Sequence, residues 1–510
     1  MTSLVSTETP VKTDSAEARK AVEIAEAARR PYVELPRRDW WLAIFFLLGM
    51  SMIGLRFPLG YLLVPGLMIW SWGKSRIDFI IQTTILCGSY ALVGEHSFPV
   101  KMEDVALAIS ILGIFIYRKP PLVSKIVMAW ALYAFVLLFL ALFSDETMLI
   151  QIRILRPWLA FIFFIIPLMC FAGQKFDIKL FFRKLVPYCL TLCAFYILDG
   201  FVVNGHVFIP HSYIFLANDT SYEPSFWAPA IEAFGTFPRK YPPGLFLMAL
   251  IMMPLSRYYR FRWYQWLLVI GALLAAKTFT VIVALLFGYM VFQPNIGKKL
   301  GYAIFGLVLL TVGYAVDSTL PINPDNDNST LRIKSSIDQI FALDEAQNDE
   351  DLAEAGSGRI AQALPKFELM YHYGKEWTGI GFLHPELTKM TKYIIINEYY
   401  TDIERNQEVA TGIEVAPLQV FLTVGYLGLI AYFTFYIFLY VTIRRLRYSI
   451  YFLSVEVINF IFGIGGFAGW IQTMGLYLMA LSFAAVLLAN REDIWPQYKK
   501  LKSKEHVSSS

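Results

Sequence analysis

Apolar residues along this chain fall into blocks, and most of the polar connections between blocks are short. About 20 apolar residues wound as a helix cross the hydrocarbon of a bilayer. Fourteen blocks stand out, at roughly 40–56, 58–72, 77–94, 103–117, 124–143, 154–172, 181–203, 243–256, 263–276, 278–293, 299–316, 416–442, 449–466 and 469–489. Several fall short of the ideal length, so twelve spans is the alternative count. Backbone polar groups surrounded by lipid need partners inside their own segment, which selects helices. The pattern predicts an all-α, polytopic membrane protein of about fourteen transmembrane helices.

Composition narrows the class. The chain has 510 residues, 57% hydrophobic and 16% charged. Soluble domains run near 45–50% apolar and about 25% charged, so the balance excludes an ordinary soluble enzyme, a disordered chain and a nucleic-acid binder. Cys87, Cys170, Cys189 and Cys193 all lie inside the blocks, away from any histidine at zinc-ligand spacing. Neither a disulfide framework nor a structural metal is implied. The first 39 residues are polar and mixed in charge, unlike a signal peptide, and Ser15 to Arg30 suits either a short surface helix or a tail.

Basic residues set the orientation, because Lys and Arg gather in cytoplasmic loops. With the N-terminus inside, 29 of the 44 basic residues fall on the cytoplasmic side, and 8 of the other 15 sit in one long loop. Both termini are then cytoplasmic, and the number of spans is even. The map that follows is a tail at 1–39, helices over 40–203, a long outer loop at 204–242, helices over 243–316, a larger outer loop at 317–415, helices over 416–489 and a tail at 490–510.

The two long outer loops are where a site is expected. The larger one holds 18 acidic against 8 basic residues. It reads as partly helical over Leu331–Leu343 and Ile360–Tyr373, and most of its carboxylates suit a solvated surface. Asp325, Asp327 and Ser329 resemble the start of a calcium loop but lack its later glycine and glutamate. The smaller loop is aromatic, with His206, Phe208, His211, Tyr213, Trp227 and Tyr241 among its residues. Such rings anchor at a membrane interface, and they also suit the faces of sugars.

Arginines on the outer side run against the positive-inside bias and therefore draw notice. Arg153 and Arg156 begin the sixth block, Arg239 and Lys240 end the first loop among prolines, Arg359 follows Gly-Ser-Gly, and Lys277 lies between two blocks. A guanidinium presents a planar fork that matches phosphate, so several converging would bind a diphosphate; each alone suits a snorkelling residue or a carboxylate partner.

In layout and in short motifs the chain resembles the bacterial O-antigen polymerase and ligase superfamily. The matching segments are Pro238-Arg239-Lys240-Tyr241-Pro242-Pro243-Gly244, Ser357-Gly358-Arg359, Gly379-Ile380-Gly381-Phe382, and Leu418-Gln419 through Gly425-Tyr426-Leu427-Gly428-Leu429. The resemblance implies a glycosyltransferase of the cytoplasmic (inner) membrane. It would take a glycan from a polyprenyl-diphosphate donor to the hydroxyl of a second lipid-linked glycan on the outer face. Arg239 and Arg359 would grip the diphosphate, with Arg156, Arg153 and Lys240 beside them. Glu414 is the first candidate base and Glu408 the second, with Asp199 facing the site; His384 and His372 are alternative bases, but each better suits an ordinary polar surface position. Ligase members carry a histidine where this chain has Glu414, which favours polymerase over ligase. Substrate lipids, a flippase and a chain-length regulator are the implied partners. No cofactor is needed, in keeping with the lack of a nucleotide-binding glycine run. A transporter or flippase is the rival reading, though Glu456 and Asp199 are the clear intramembrane charges and no repeat is evident.

Overall fold

The computed structural model describes residues 32–55, 57–88, 102–117, 119–143, 151, 155–171, 176–203, 207–209, 259–275, 296–320, 333–335, 337–338, 366–367, 370–382, 415–464 and 475–495. Among these residues the regular structure is helical, with one isolated bridge between Tyr32 and Arg260 and no strand. The helices are α1 (Arg37–Gly54), α2 (Pro58–Lys74), α3 (Arg76–Gly88), α4 (Met102–Ile116), α5 (Pro121–Ala141), α6 (Ile165–Cys170), α7 (Ile178–Ile197), α8 (Trp263–Ala275), α9 (Ile296–Thr319), α10 (Ala416–Ile443), α11 (Ile450–Ile464), α12 (Leu476–Ala489) and the short α13 (Arg491–Ile494). A 3₁₀ segment, Arg156–Phe164, runs into α6, and a π-helical turn, Leu198–Val203, ends α7.

Every apolar block with described residues is helical; the blocks at 243–256 and 278–293 lie outside the described residues. Among the described residues, four helices are long and apolar enough to cross a membrane: Pro121–Ala141, Ile178–Val203, Lys299–Thr319 and Pro417–Ile443, with mean hydropathies of 2.1, 1.8, 1.7 and 1.8. In the second long loop, only fragments of the two expected amphipathic helices are described. Residues 333–335 and 337–338 of one, and 366–367 and 370–372 of the other, are helical.

The sixth block differs from a plain α-helix. Runs of 3₁₀ helix rarely exceed three or four residues, yet this one has 9. Its side chains eclipse every third residue, and Trp158, Phe161 and Phe164 occupy that spacing. Phe161 meets Phe435 and Phe483 at 5.5 and 5.2 Å, and Phe164 meets Phe483 at 5.5 Å. The stretched winding therefore aligns one row of rings against α10 and α12. It also lengthens the element: at about 2.0 Å per 3₁₀ residue and 1.5 Å per α residue, Arg156 to Cys170 covers roughly 27 Å. Against it lies α12, buried along Leu476–Leu488 and packed also on α11 and α3.

The N-termini of α1, α3 and α7 meet at one end of the bundle, which we call the clasp end. There Lys184 Nζ bonds Asp78 Oδ2 at 2.5 Å and Asp39 Oδ1 at 3.4 Å. One turn further along both α3 and α7, Gln82 Nε2 donates to Tyr188 Oη at 3.1 Å. Phe182 stacks on Tyr451 at 4.0 Å and brings the α10–α11 turn to the same end. Asn490, at the end of α12, holds that turn from both sides: Arg447 N–H donates to its Oδ1 at 3.0 Å and its Nδ2 donates to Arg447 O at 2.7 Å. The turn needs a hold, because Tyr448 has φ 65°, uncommon for a residue with a Cβ.

Candidate functional site

The far end is organised by a break in a helix. Within α10, Gly425 has φ 60° and ψ −164°, so the winding stops and restarts. Such a break strands two carbonyls before it and two amides after it, and buried backbone polar groups need partners. The turn at Glu376–Gly381 supplies all four. Ile380 N–H donates to Leu422 O at 2.9 Å and Gly381 N–H to Thr423 O at 3.0 Å. Tyr426 N–H donates to Glu376 O at 2.9 Å and Leu427 N–H to Trp377 O at 3.3 Å.

Two glycines permit this contact. Gly379 has φ 73°, and a Cβ there would lie 2.3 Å from the Thr423 carbonyl carbon. On the other strand of the contact, a Cβ on Gly425 would lie 2.4 Å from the Trp377 carbonyl carbon. Neither neighbour is a movable side-chain tip, so both positions need glycine for conformation and for space. The sequence segments Gly379–Phe382 and Leu418–Leu429 thus form one backbone-to-backbone lock.

The lock is tied to the rest of the bundle from α5 and the 3₁₀ segment. Phe382 is fully buried; its N–H donates to Gln151 Oε1 at 3.0 Å and its ring meets Trp158 edge-on at 5.4 Å. Lys375 Nζ donates to Phe143 O, just past α5, at 2.8 Å. Tyr371, Trp377 and Tyr426 present exposed rings beside it, and the Tyr371 and Tyr426 hydroxyls lie 3.1 Å apart. That hydrogen bond is the main reason the Tyr371 phenol titrates above its ordinary range.

Two expected site residues stand near the same end. Arg156 is buried, and its Nη1 bonds both oxygens of Asp104, at the start of α4, at 2.9 Å each. Its charge is thereby offset by a carboxylate that is itself half exposed. Asp199, in the turn that ends α7, accepts backbone N–H groups from Val207, Phe208 and Ile209 at 3.1, 3.0 and 2.7 Å. Ser51 on α1 holds the Phe208 carbonyl in turn. Asp199 therefore holds the described residues of the smaller loop, Val207 to Ile209. Arg153, Arg239, Lys240, Arg359, Glu408 and Glu414 lie outside the described residues, as do Lys277 and His384. His372 is exposed, with its ring edge against Tyr373. Glu456 sits partly buried on α11, within electrostatic reach of the phenols of Tyr432 and Tyr436.

Gln151, Trp158 and Lys375 were not among the expected residues. Trp158, three residues before Phe161 in an aromatic row, was the one with a sequence signal. Compared with known proteins, the chain matches no family model, and no curated protein matches it.

Proposed function

We propose that the chain is a membrane-embedded polysaccharide polymerase with about fourteen spans and both termini in the cytoplasm. It transfers a glycan from a polyprenyl-diphosphate donor to the hydroxyl of a second lipid-linked glycan on the outer face of the inner membrane. The observation that carries this reading is the lock. The two segments of the large loop and α10 that resemble the polymerase and ligase superfamily are bonded to each other backbone to backbone. Residues 383–414, with Glu408 and Glu414, lie in sequence between these two bonded segments.

The chemistry follows from the charges. As the glycosyl bond to diphosphate breaks, negative charge develops on the leaving oxygen, and preorganised donors there lower the barrier. Arg239 and Arg359 are assigned to that position, with Lys240 and Arg153 beside them. Arg156 is already matched by Asp104, which reduces its call on a phosphate and makes it a positioning residue in this scheme. Glu414 takes the proton of the attacking hydroxyl, with Glu408 next in line. The exposed rings of Tyr371, Trp377 and Tyr426 offer flat faces for sugar at the mouth of the site.

The test is synthesis by the purified protein in liposomes supplied with polyprenyl-diphosphate oligosaccharide. Wild type gives a ladder of products. Arg239→Lys and Arg359→Lys lose it, because Lys cannot offer the bidentate fork, and Glu414→Gln slows it by about 10²-fold or more. Transfer of a single glycan to a different lipid would replace this reading with the ligase, and movement of substrate without new bonds would replace it with a flippase.

A further inference from the structure

The clasp end sorts its charges, and the sorting leaves an unanswered cationic face. Asp39 directly follows Arg38 and Asp78 lies two residues after Arg76, yet both carboxylates turn inward to Lys184. Outward remain Arg37, Arg38 and Lys74, all exposed, and no carboxylate among the described residues pairs with them. Two guanidiniums at this end are steadied on indoles of α2: the exposed Arg38 lies 4.6 Å from the Trp70 ring centroid and the half-buried Arg76 lies 5.2 Å from that of Trp72. Arg76 is further anchored by its bond to Cys170 O at 2.9 Å.

Above this rim α2 turns apolar residues outward. Leu59, Leu62 and Ile69 are 59%, 74% and 73% exposed, and the rings of Trp70 and Trp72 are 40% and 48% exposed. A cluster of cations under indoles, continuous with an apolar helix face, matches a molecule with an anionic head and a hydrocarbon tail. We propose that the corner formed by the start of α1, the end of α2 and the start of α3 binds the phosphate head group of an anionic phospholipid, with an acyl chain along α2. Arg38 and Lys74 meet the phosphate, Trp70 and Trp72 sit at the head-group level, and Arg37 adds long-range attraction. The proposal rests on the chain being in a bilayer and is independent of its reaction.

The experiment uses the full-length protein and counts lipids retained by native mass spectrometry from micelles holding equal phosphatidylglycerol and phosphatidylcholine. Phosphatidylglycerol is retained in preference, and the preference shrinks as salt is added. Each basic side chain at an anionic surface contributes on the order of fivefold, so Arg37→Gln/Arg38→Gln/Lys74→Gln together lose roughly a hundredfold. These side chains are exposed, so the fold persists. Trp70→Leu, which keeps every charge, lowers retention by removing the platform under Arg38. Equal retention of the two lipids, or a triple variant that behaves as wild type, overturns the proposal. Displacement of the lipid by soluble glycerol phosphate at matched concentration also overturns it, since the site would then be one for a free anion. Failure of the protein to enter phosphatidylcholine bilayers is a separate result and would sink the membrane reading itself.

Discussion

The two ends of this bundle are held by different means. At the clasp end the ties are side chains: Lys184 between two aspartates, Gln82 on Tyr188, Asn490 around a strained turn. At the far end the principal tie is backbone against backbone, with no room for a Cβ at Gly379 or Gly425. Side-chain ties tolerate graded change, because a shorter or neutral residue still leaves the helices in place. A backbone lock fails as a unit, since all four of its hydrogen bonds depend on the same close approach. The rigid fastening thus sits where the Glu376–Gly381 turn of the long loop meets the break in α10.

The largest effect should come from the lock. Gly379→Ala forces a left-handed conformation and a clash with main chain, and we expect a loss of about 3 kcal/mol or more, read as a fall in the thermal midpoint in detergent. Next comes Lys184→Met, which leaves Asp39 and Asp78 facing each other without a cation. Breaking a buried pair costs about 3–5 kcal/mol, and partial exposure of Lys184 brings the expectation to about 2–3 kcal/mol. Lys184→Met/Asp78→Asn should recover part of it, whereas no second-site side-chain change should rescue Gly379→Ala. If the two single variants are equally rescuable, the contrast between the ends is wrong.

Smaller effects refine the picture. Asp199→Asn replaces one acceptor by a donor facing backbone N–H groups, at about 1–2 kcal/mol. Proteolysis should then cut the smaller loop sooner while the core stays protected. Asp104→Asn, which releases Arg156, should leave the KM for a lipid-diphosphate donor within about twofold if Arg156 acts by positioning. Tyr371→Phe should lower the midpoint slightly at neutral pH, since it removes the hydrogen bond to Tyr426. Because its pKa is raised, the Tyr371 contribution is present below the ordinary phenol range, near 10, and is lost as pH climbs through the raised value. The variant lacks that alkaline limb.

Much of the fold was legible because lipid-length apolar runs have few alternatives. The blocks at 58–72 and 124–143 coincide with α2 and α5 to within a few residues. The 3₁₀ winding of the sixth block was not foreseen, since 3₁₀ and α segments share composition and differ only in which ring rows find partners. The clasp was also missed. Lys184 reads from sequence as one more cytoplasmic cation, and nothing local tells that Asp39 and Asp78, 145 and 106 residues away, converge on it. At the site, the glycine turn and the start of α10 were marked as separate motifs. Their union depends on Gly425 breaking a helix that by hydropathy runs unbroken from Ala416 to Ile443. Arg156 was singled out for its charge, but its partner Asp104 sits 52 residues earlier and carries no motif.

The central claim is that the lock positions a polymerising site. The most direct measurement is product length from polyprenyl-diphosphate oligosaccharide in liposomes, for wild type and Gly379→Ala, at a temperature where both remain helical. We predict a ladder from wild type, and from the variant a loss of elongation far beyond its unfolded fraction. No elongation by wild type, or a variant that elongates in proportion to its folded fraction, would contradict the account.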